Sequence, residues 1–193
     1  MINSPIALFN NWLADELSVS KVNIPTACCL STIGLDKYPN ARFVSFKDIV
    51  DNKLIITGSL SSRKALEISA NNKVALTFWW TETERQIRIQ GEANPINKQL
   101  ADKYFSERNR ESQIVSIVSR QGEELKNKST LNEQYLEISQ KFENHILSRP
   151  DSWGGYAIEP KRIEFLSFNS TRFHDRILFE KQKGNWVKST IQP

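Results

Sequence analysis

The stretch TACCLSTIGLDKYPNARFVSFKDIVDNKLIITGS, residues 26–59, decides the fold class. TACCLSTIG (26–34) is a short run of strand-forming residues, LDKYPN is a turn, and ARFVSFKDIV (41–50) is a second such run. Asp51-Asn52 then turns the chain into KLIITGS (53–59). Short strands joined by tight polar turns predict an antiparallel meander.

The flanks extend this reading. Upstream, Ser4-Pro5 is a helix start, with Ser as N-cap and Pro at the first helical position. Ile6, Phe9 and Leu13, with Trp12 beside them, form an apolar stripe at helical spacing. Downstream, SSRKALEISANN (61–72) predicts a second helix with a Ser cap and an Asn71-Asn72 stop. KVALTFWW and RQIRIQGEANPI form a strand pair joined by the polar TETE. A helical insertion follows from about residue 97 to 144: NKQLADKYFSE, ESQIVSIVSR and NEQYLEISQKFEN. RQGEELKNKST between them reads as a loop or a loosely held surface helix. Strands resume with WGGYAIEP, KRIEFLSF, TRFHDRILFEK and WVKSTIQ. The expectation is one α+β domain over 1–193, an antiparallel barrel with flanking helices, since closure removes exposed strand edges.

Composition narrows the function classes. Hydrophobic residues at 39% and charged residues at 25% are those of an ordinary globular chain. A net charge of +4, with 22 acidic residues among the basic ones, permits an anionic ligand without demanding nucleic acid. Cys28 and Cys29 are adjacent in an apolar run, where strand geometry points them apart, so both are expected as buried thiols in a reducing cytoplasm. The two histidines, His145 and His174, lack metal-ligand spacing, so no metal is expected. MINSPIALFNNW has no signal-peptide pattern, and no apolar stretch approaches the roughly 20 residues a membrane span needs.

Several clusters carry chemistry. Arg42 and Lys47 bracket FVSF, and Ser61, Ser62, Arg63 and Lys64 meet at a loop-to-helix junction, a place that favours phosphate. Simple capping by solvated basic residues is the alternative. Neither a GxGxxG nor a GxxxxGKS loop is present, so dinucleotide or P-loop binding has no support. Tyr104, Arg108 and Ser112 are spaced by four; on one continuous helix they would offer two hydroxyls and a guanidinium to a phosphate or carboxylate, or simply to water. Gln86, Arg88 and Gln90 share one face of their strand, where a Gln could hydrogen-bond the edge of a heteroaromatic ring. In STRFHDR (170–176) an extended backbone would align Arg172, His174 and Arg176 on one face. His174 could serve as a general base, but no Ser or Cys sits in a nucleophile elbow. Trp79, Trp80, Trp153 and Trp186 read as packing residues.

Taken in order, RFVSFK (42–47), SSRKA (61–65), ERQIRIQG (84–91), KYFSERNRESQI (103–114), VSRQ (118–121), SWGGY (152–156), RIEF (162–165) and RFHDR (172–176) resemble the pyridoxamine (pyridoxine) 5′-phosphate oxidase family. The resemblance runs from about Ser4 to Pro193. It implies an FMN-binding split β-barrel working as a cytoplasmic homodimer, with sites built at the interface. It places FMN contacts on Arg42, Lys47, Thr57, Gly58, Arg63, Lys64, Gln86, Gln121 and Arg176. It places substrate contacts on Lys47, Tyr104, Arg108 and Ser112 for the phosphate, with Arg172 and His174 at the pyridine ring and its reacting carbon. The implied reaction oxidises the 4′ carbon of pyridoxine or pyridoxamine 5′-phosphate to the aldehyde, with molecular oxygen as electron acceptor and hydrogen peroxide as product.

The chain departs from the family pattern at four places. Leu166 stands where a flavin-contacting Trp is usual, Gly122 where a Ser is, Thr57 where an aromatic is common, and Asn109 where a Pro is. It also starts without the basic arm that reaches over the site in some members. SIVSRQGEEL (116–125) resembles a sister group, the FMN oxidases of phenazine biosynthesis. Two alternatives therefore stand beside the first: oxidation of a reduced phenazine precursor, and a non-catalytic flavin-binding module.

Overall fold

The computed structural model describes residues 4–193, so residues 1–3, part of the span read above for a leader and for a single domain, lie outside it. In chain order the described residues form α1 (Pro5–Val19), β1 (Ala27–Ile33), β2 (Pro39–Val50), β3 (Lys53–Ser59), α2 (Arg63–Ala70), β4 (Lys73–Trp80) and β5 (Arg85–Pro95). Then come α3 (Lys98–Ser106), α4 (Arg110–Val118), α5 (Lys128–Lys141), β6 (Trp153–Ser167), β7 (Asp175–Gln182) and β8 (Asn185–Thr190). The sheet order is β3-β2-β1-β4-β5-β6-β7-β8, antiparallel throughout. A further β3–β6 pairing closes the first six strands into a barrel. This is the expected α+β class: an antiparallel split barrel with flanking helices.

The split comes from β6. The sequence reads as two strands there, WGGYAIEP and KRIEFLSF, whereas the chain makes one strand of 15 residues. Pro160 does not break it, because it sits opposite Gly91, where the pairing with β5 shifts register and a missing N–H costs no ladder bond. Trp153–Ile158 pairs with β3, Arg162–Ser167 pairs with β7, and β5 runs beside both halves. β6 thus begins inside the closed barrel and ends in an open extension of it.

Three further expectations are corrected by local polar chemistry. STRFHDR is not extended: β7 begins only at Asp175, and Arg172 has a left-handed φ of 68°. Asn169 Oδ1 accepts the Thr171 backbone N–H at 2.9 Å, a local turn that outcompetes the sheet ladder. Tyr104, Arg108 and Ser112 do not share a continuous helix either. α3 ends at Ser106, and Asn109 caps a new helix by accepting the Ser112 N–H at 2.9 Å. The Ser62 side chain likewise does not cap α2; it donates to the Ser59 carbonyl at 2.7 Å. Of the two cysteines, Cys28 is buried and Cys29 is only half-buried, because β1 alternates inner and outer faces.

The barrel is filled by inward residues such as Leu30, Leu54, Leu76, Ile87, Ile163 and Phe165, all without exposed surface. α1 delivers Phe9 among the interior rings of Phe46, Phe78 and Trp80, with centroids at 5.5, 5.1 and 5.8 Å. Such pairs each add about 0.5–1.5 kcal/mol beyond area burial. A second apolar cluster, Ile55, Tyr104, Phe105, Ile114, Leu147 and Trp153, docks α3 and α4 against the outside of the barrel. It holds α4 beside β2 and β3.

The backbones at the β5–β6 register shift approach closely. A Cβ on Gly91 would lie 2.5 Å from the Glu159 carbonyl oxygen and 3.0 Å from Ile158 Cγ2. Gly91→Ala is expected to destabilise the fold by about 1–3 kcal/mol, read as a lower urea midpoint with an unchanged m-value.

Candidate active site

Between the outer ends of β2 and β3 and the facing side of α4 lies a cleft of about 520 Å³. That volume is in the range of small-ligand pockets, roughly 300–1,000 Å³. Arg42, Thr57, Gly58, Lys64, Arg108 and Gln121, all expected from sequence, line it together. Ser45, Ser116, Ser119, Val115 and Trp153 also line it and were not singled out as site residues.

The elements explain the placement. Lys47 occupies a bulge where β2 shifts register against β3 between Phe46 and Asp48, which re-aims its side chain out of the regular alternation. Its pKa is lowered, first by desolvation and then by the nearby Arg108 charge. Lys64, on the first turn of α2, donates to Ser62 Oγ at 2.9 Å and to Gln121 Oε1 at 3.1 Å, tying the loop after α4 to the barrel. Burial, followed by the Arg42 charge, lowers its pKa too. Arg108 sits in the gap between α3 and α4, its guanidinium 5.2 Å from the Trp153 ring centre, and donates to the Ser112 carbonyl at 3.3 Å. Burial lowers its pKa as well. Burial, then the Asp48 and Glu107 carboxylates, raises that of Tyr104.

Lys47, Lys64 and Arg108 therefore share one property. Each is partly desolvated, and among the described residues none has a carboxylate within salt-bridge distance. Three buried polar atoms close by, Thr57 Oγ1, Tyr104 OH and Arg108 Nε, also have no hydrogen-bond partner there. Partly desolvated cations without a counter-charge are unfavourable in the free protein and are relieved by an anionic ligand.

Arg42 and Arg63 differ. Arg42 donates to Glu67 Oε2 at 2.7 Å, and Arg63 donates to Glu67 Oε1 at 2.9 Å and to Asp36 at 2.8 Å. Ser112 offers Arg108 its carbonyl rather than its hydroxyl, which donates to no acceptor among the described residues. Lys47, Arg63, Tyr104 and Ser112 do not line the cleft themselves, though each neighbours a residue that does, and Gln86, Arg172, His174 and Arg176 lie outside the cleft of their own chain. Gln86 pairs with Leu166, which pairs with Arg176, so these three form a cross-strand row at the far end of β6. Arg176 is held by Glu164 at 3.1 Å through Nε and by the Gln192 carbonyl at 3.1 Å. His174 Nδ1 accepts the Asn169 N–H at 3.1 Å, and its ring packs against Phe168 at 4.8 Å. Arg172 is exposed and makes no side-chain hydrogen bond among the described residues.

A family profile described as pyridoxamine 5′-phosphate oxidase matches residues 16–142, and one described as the pyridoxine 5′-phosphate oxidase C-terminal dimerisation region matches 153–193. The chain belongs to the pyridoxamine 5′-phosphate oxidase family. A pyridoxine/pyridoxamine 5′-phosphate oxidase of Leptospira biflexa is 36% identical over 189 residues, covering 98% of this chain and 89% of the relative. One of Vibrio cholerae is 37% identical over 190 residues, covering 98% and 90%. Among solved structures, PhzG from Burkholderia lata in complex with tetrahydrophenazine-1-carboxylic acid superposes with a TM-score of 0.93 at 30% identity, over 100% of this chain and 94% of that one. An FMN-binding protein of Nostoc punctiforme related to pyridoxamine 5′-phosphate oxidase gives 0.80 at 14% identity over 98% of both chains, a likeness of fold. The family is one of oxidoreductases, and its C-terminal dimerisation region is present here in β6 to β8. No described helix is long and apolar enough to cross a membrane.

Glu67 sets a pH dependence for this region. Burial alone would raise its pKa, but hydrogen bonds from Thr32, Asn40, Arg63 and Arg42 outweigh that and hold it at about 2, against an ordinary 4.5. An acid depressed by folding contributes stability above its unfolded pKa and loses it as pH falls through its folded one. The urea midpoint is expected to fall between pH 4.5 and pH 2, with a shallower slope in Glu67→Gln.

Proposed function

We propose that the chain is an FMN-dependent oxidase of pyridoxine and pyridoxamine 5′-phosphate, working as a homodimer. The observation that carries this is a pair of half-buried cations without carboxylate partners at two places in one cleft, Lys64 on α2 and Arg108 between α3 and α4, with Lys47 close to Arg108 on the β2 bulge. Two separated groups of this kind suit two separate phosphates, one on the cofactor and one on the substrate.

The residues fit FMN. Lys64, Arg42 and Arg63 would hold its phosphate, and the unpartnered Thr57 hydroxyl would find an acceptor there. Gly58 carries no Cβ beside the Lys64 ammonium, leaving room for the ligand. Gln121 would approach the ring, and Lys47 would stand between the two ligands. When bound, FMN supplies the redox chemistry: hydride acceptance from the 4′ carbon of the substrate and reoxidation by O2 with release of H2O2. Arg108, Tyr104 and Lys47 would bind the substrate phosphate, satisfying Arg108 Nε and the Tyr104 hydroxyl. Holding the phosphate end, they would orient the ring of the substrate.

Gln86, Arg176, Arg172 and His174 would be supplied by the partner chain. Leu166 is thirteen residues along β6 from Trp153 in the cleft, roughly 40 Å at strand rise, so one chain's row does not reach its own cleft. Two-fold pairing brings the row of one protomer to the cleft of the other. Phe43, 79% exposed on the outer face of β2 beside the cleft, is a natural part of that contact.

A second reading has the likeness to PhzG behind it: oxidation of a reduced, carboxylated phenazine precursor. Arg108 decides between them. On the first reading the purified protein is yellow, and its flavin bleaches when pyridoxine 5′-phosphate is added without oxygen. Arg108→Leu then raises KM for that substrate about 10- to 100-fold and leaves kcat within a few-fold. Turnover of a carboxylated ring that survives Arg108→Leu, with no turnover of either B6 phosphate, supports the second.

The shared site has its own test. Assayed at substrate well below the raised KM, Arg108→Ala and His174→Ala chains, each strongly impaired alone, should recover about a quarter of the wild-type rate when refolded together. Half of the dimers then carry one intact site of two. No recovery would place both residues in one chain's site.

A further inference from the structure

Glu67 is a carboxylate with no exposed surface, on α2 one turn after Arg63. Such a group is stable only when its surroundings supply donors. Oε1 accepts from Asn40 Nδ2 and Arg63 Nε, each at 2.9 Å; Oε2 accepts from Thr32 Oγ1 at 2.6 Å and Arg42 Nη2 at 2.7 Å. Both oxygens are thereby saturated from β1, β2 and α2. Arg63 is held from its other side by Asp36, and Arg42 also donates to Thr32 Oγ1 through Nη1. The two guanidiniums are fixed without being used up. Among the described residues Arg42 Nε and Arg63 Nη1 make no hydrogen bond. Arg42 lines the cleft and Lys64 adjoins both, so three cations face two carboxylates and the cluster stays positive.

We propose that Glu67, backed by Asp36, is a positioning residue for the flavin phosphate: it holds Arg42 and Arg63 so that their unused N–H groups meet the phosphate, and thereby sets the preference for FMN over riboflavin. Glu67 does not touch the ligand. Its carboxylate accepts from one guanidinium on each oxygen, which an amide cannot do, since the amide N–H2 would face a second donor. Freed from this anchor, each arginine must be ordered by the phosphate itself, at an entropic cost charged to binding. The inference rests on the FMN reading, because it assigns a role within that site.

The test is equilibrium binding, independent of turnover. The full-length chain, stripped of flavin, is titrated with FMN and with riboflavin by flavin fluorescence. Wild type should prefer FMN. Glu67→Gln should weaken FMN binding on the order of tenfold while riboflavin affinity stays within about twofold. Asp36→Asn, on the exposed side of Arg63, should lower the preference by about two- to threefold. If Glu67→Gln keeps the wild-type ratio, or loses both flavins equally as a general strut would, the inference is wrong and the cofactor reading stands. Should Glu67→Gln fail to fold, an unchanged ratio in Asp36→Asn overturns it. A wild-type chain that binds neither flavin overturns the cofactor reading and this inference together.

Discussion

The hydrogen-bonded seam between β3 and the first half of β6 is the constraint on which the other features depend. Without it the first six strands are an open sheet with two free edges, which closure removes. With it, the outer ends of β2 and β3 are held at fixed separation from Trp153, and Trp153 anchors the cluster that docks α3 and α4. The cleft is the space left between these two rigid parts. Gly155 belongs to the same seam: it sits opposite Thr57, and a Cβ there would collide with the Ile56 carbonyl. The same Cβ would meet Thr57 Cγ2 at 3.1 Å, so this tight backbone contact lies against a threonine that lines the cleft.

Electrostatics then divides the basic residues into two kinds. Arg42 and Arg63 are both paired with the buried Glu67, and Arg176 with the buried Glu164. Lys47, Lys64 and Arg108 are left without such partners. The first kind is fixed in direction before any ligand arrives. The second kind carries unrelieved desolvation that an anion can offset. A site combining both has geometry from the first and affinity from the second.

Much of this was legible in the sequence because it depends on local periodicity and turn chemistry. The meander of β1 to β3, the β4–β5 pair, α1 and α2 lie close to where alternation, caps and turn residues place them. Six expected site residues meet in one cleft because they flank short connections of that meander or sit on the helices packed against it. The failures have local physical causes. Pro160 reads as a strand end until it is known to face a register shift, and Asn169 and Asn109 redirect the backbone through side-chain hydrogen bonds that periodicity does not register. Glu67 was readable in part, since Arg63 and Glu67 are spaced as an i,i+4 ion pair. Its bonds to Thr32, Asn40 and Arg42 depend on which strands pair, and no local pattern carries that. Trp153, read only as packing, packs and faces the cleft at once.

The single continuous β6 also governs how the chain's length can vary over evolution. The strand carries Trp153 at one end and the row of Gln86, Leu166 and Arg176 at the other, with one extra residue, Lys161, taken up at the Pro160 shift, where the inward set passes from Tyr156 and Ile158 to Ile163 and Phe165. One residue gained or lost between them would exchange inner for outer side chains over the rest of the strand, moving Glu164 away from Arg176 and Ile163 out of the core. Away from that bulge insertions are therefore disfavoured in β6, while the exposed loop of residues 122–127, past the cleft-lining Gln121, can absorb them at little cost. The chain has a ruler in one place and slack in another, and lineages of this fold should differ in length at the slack.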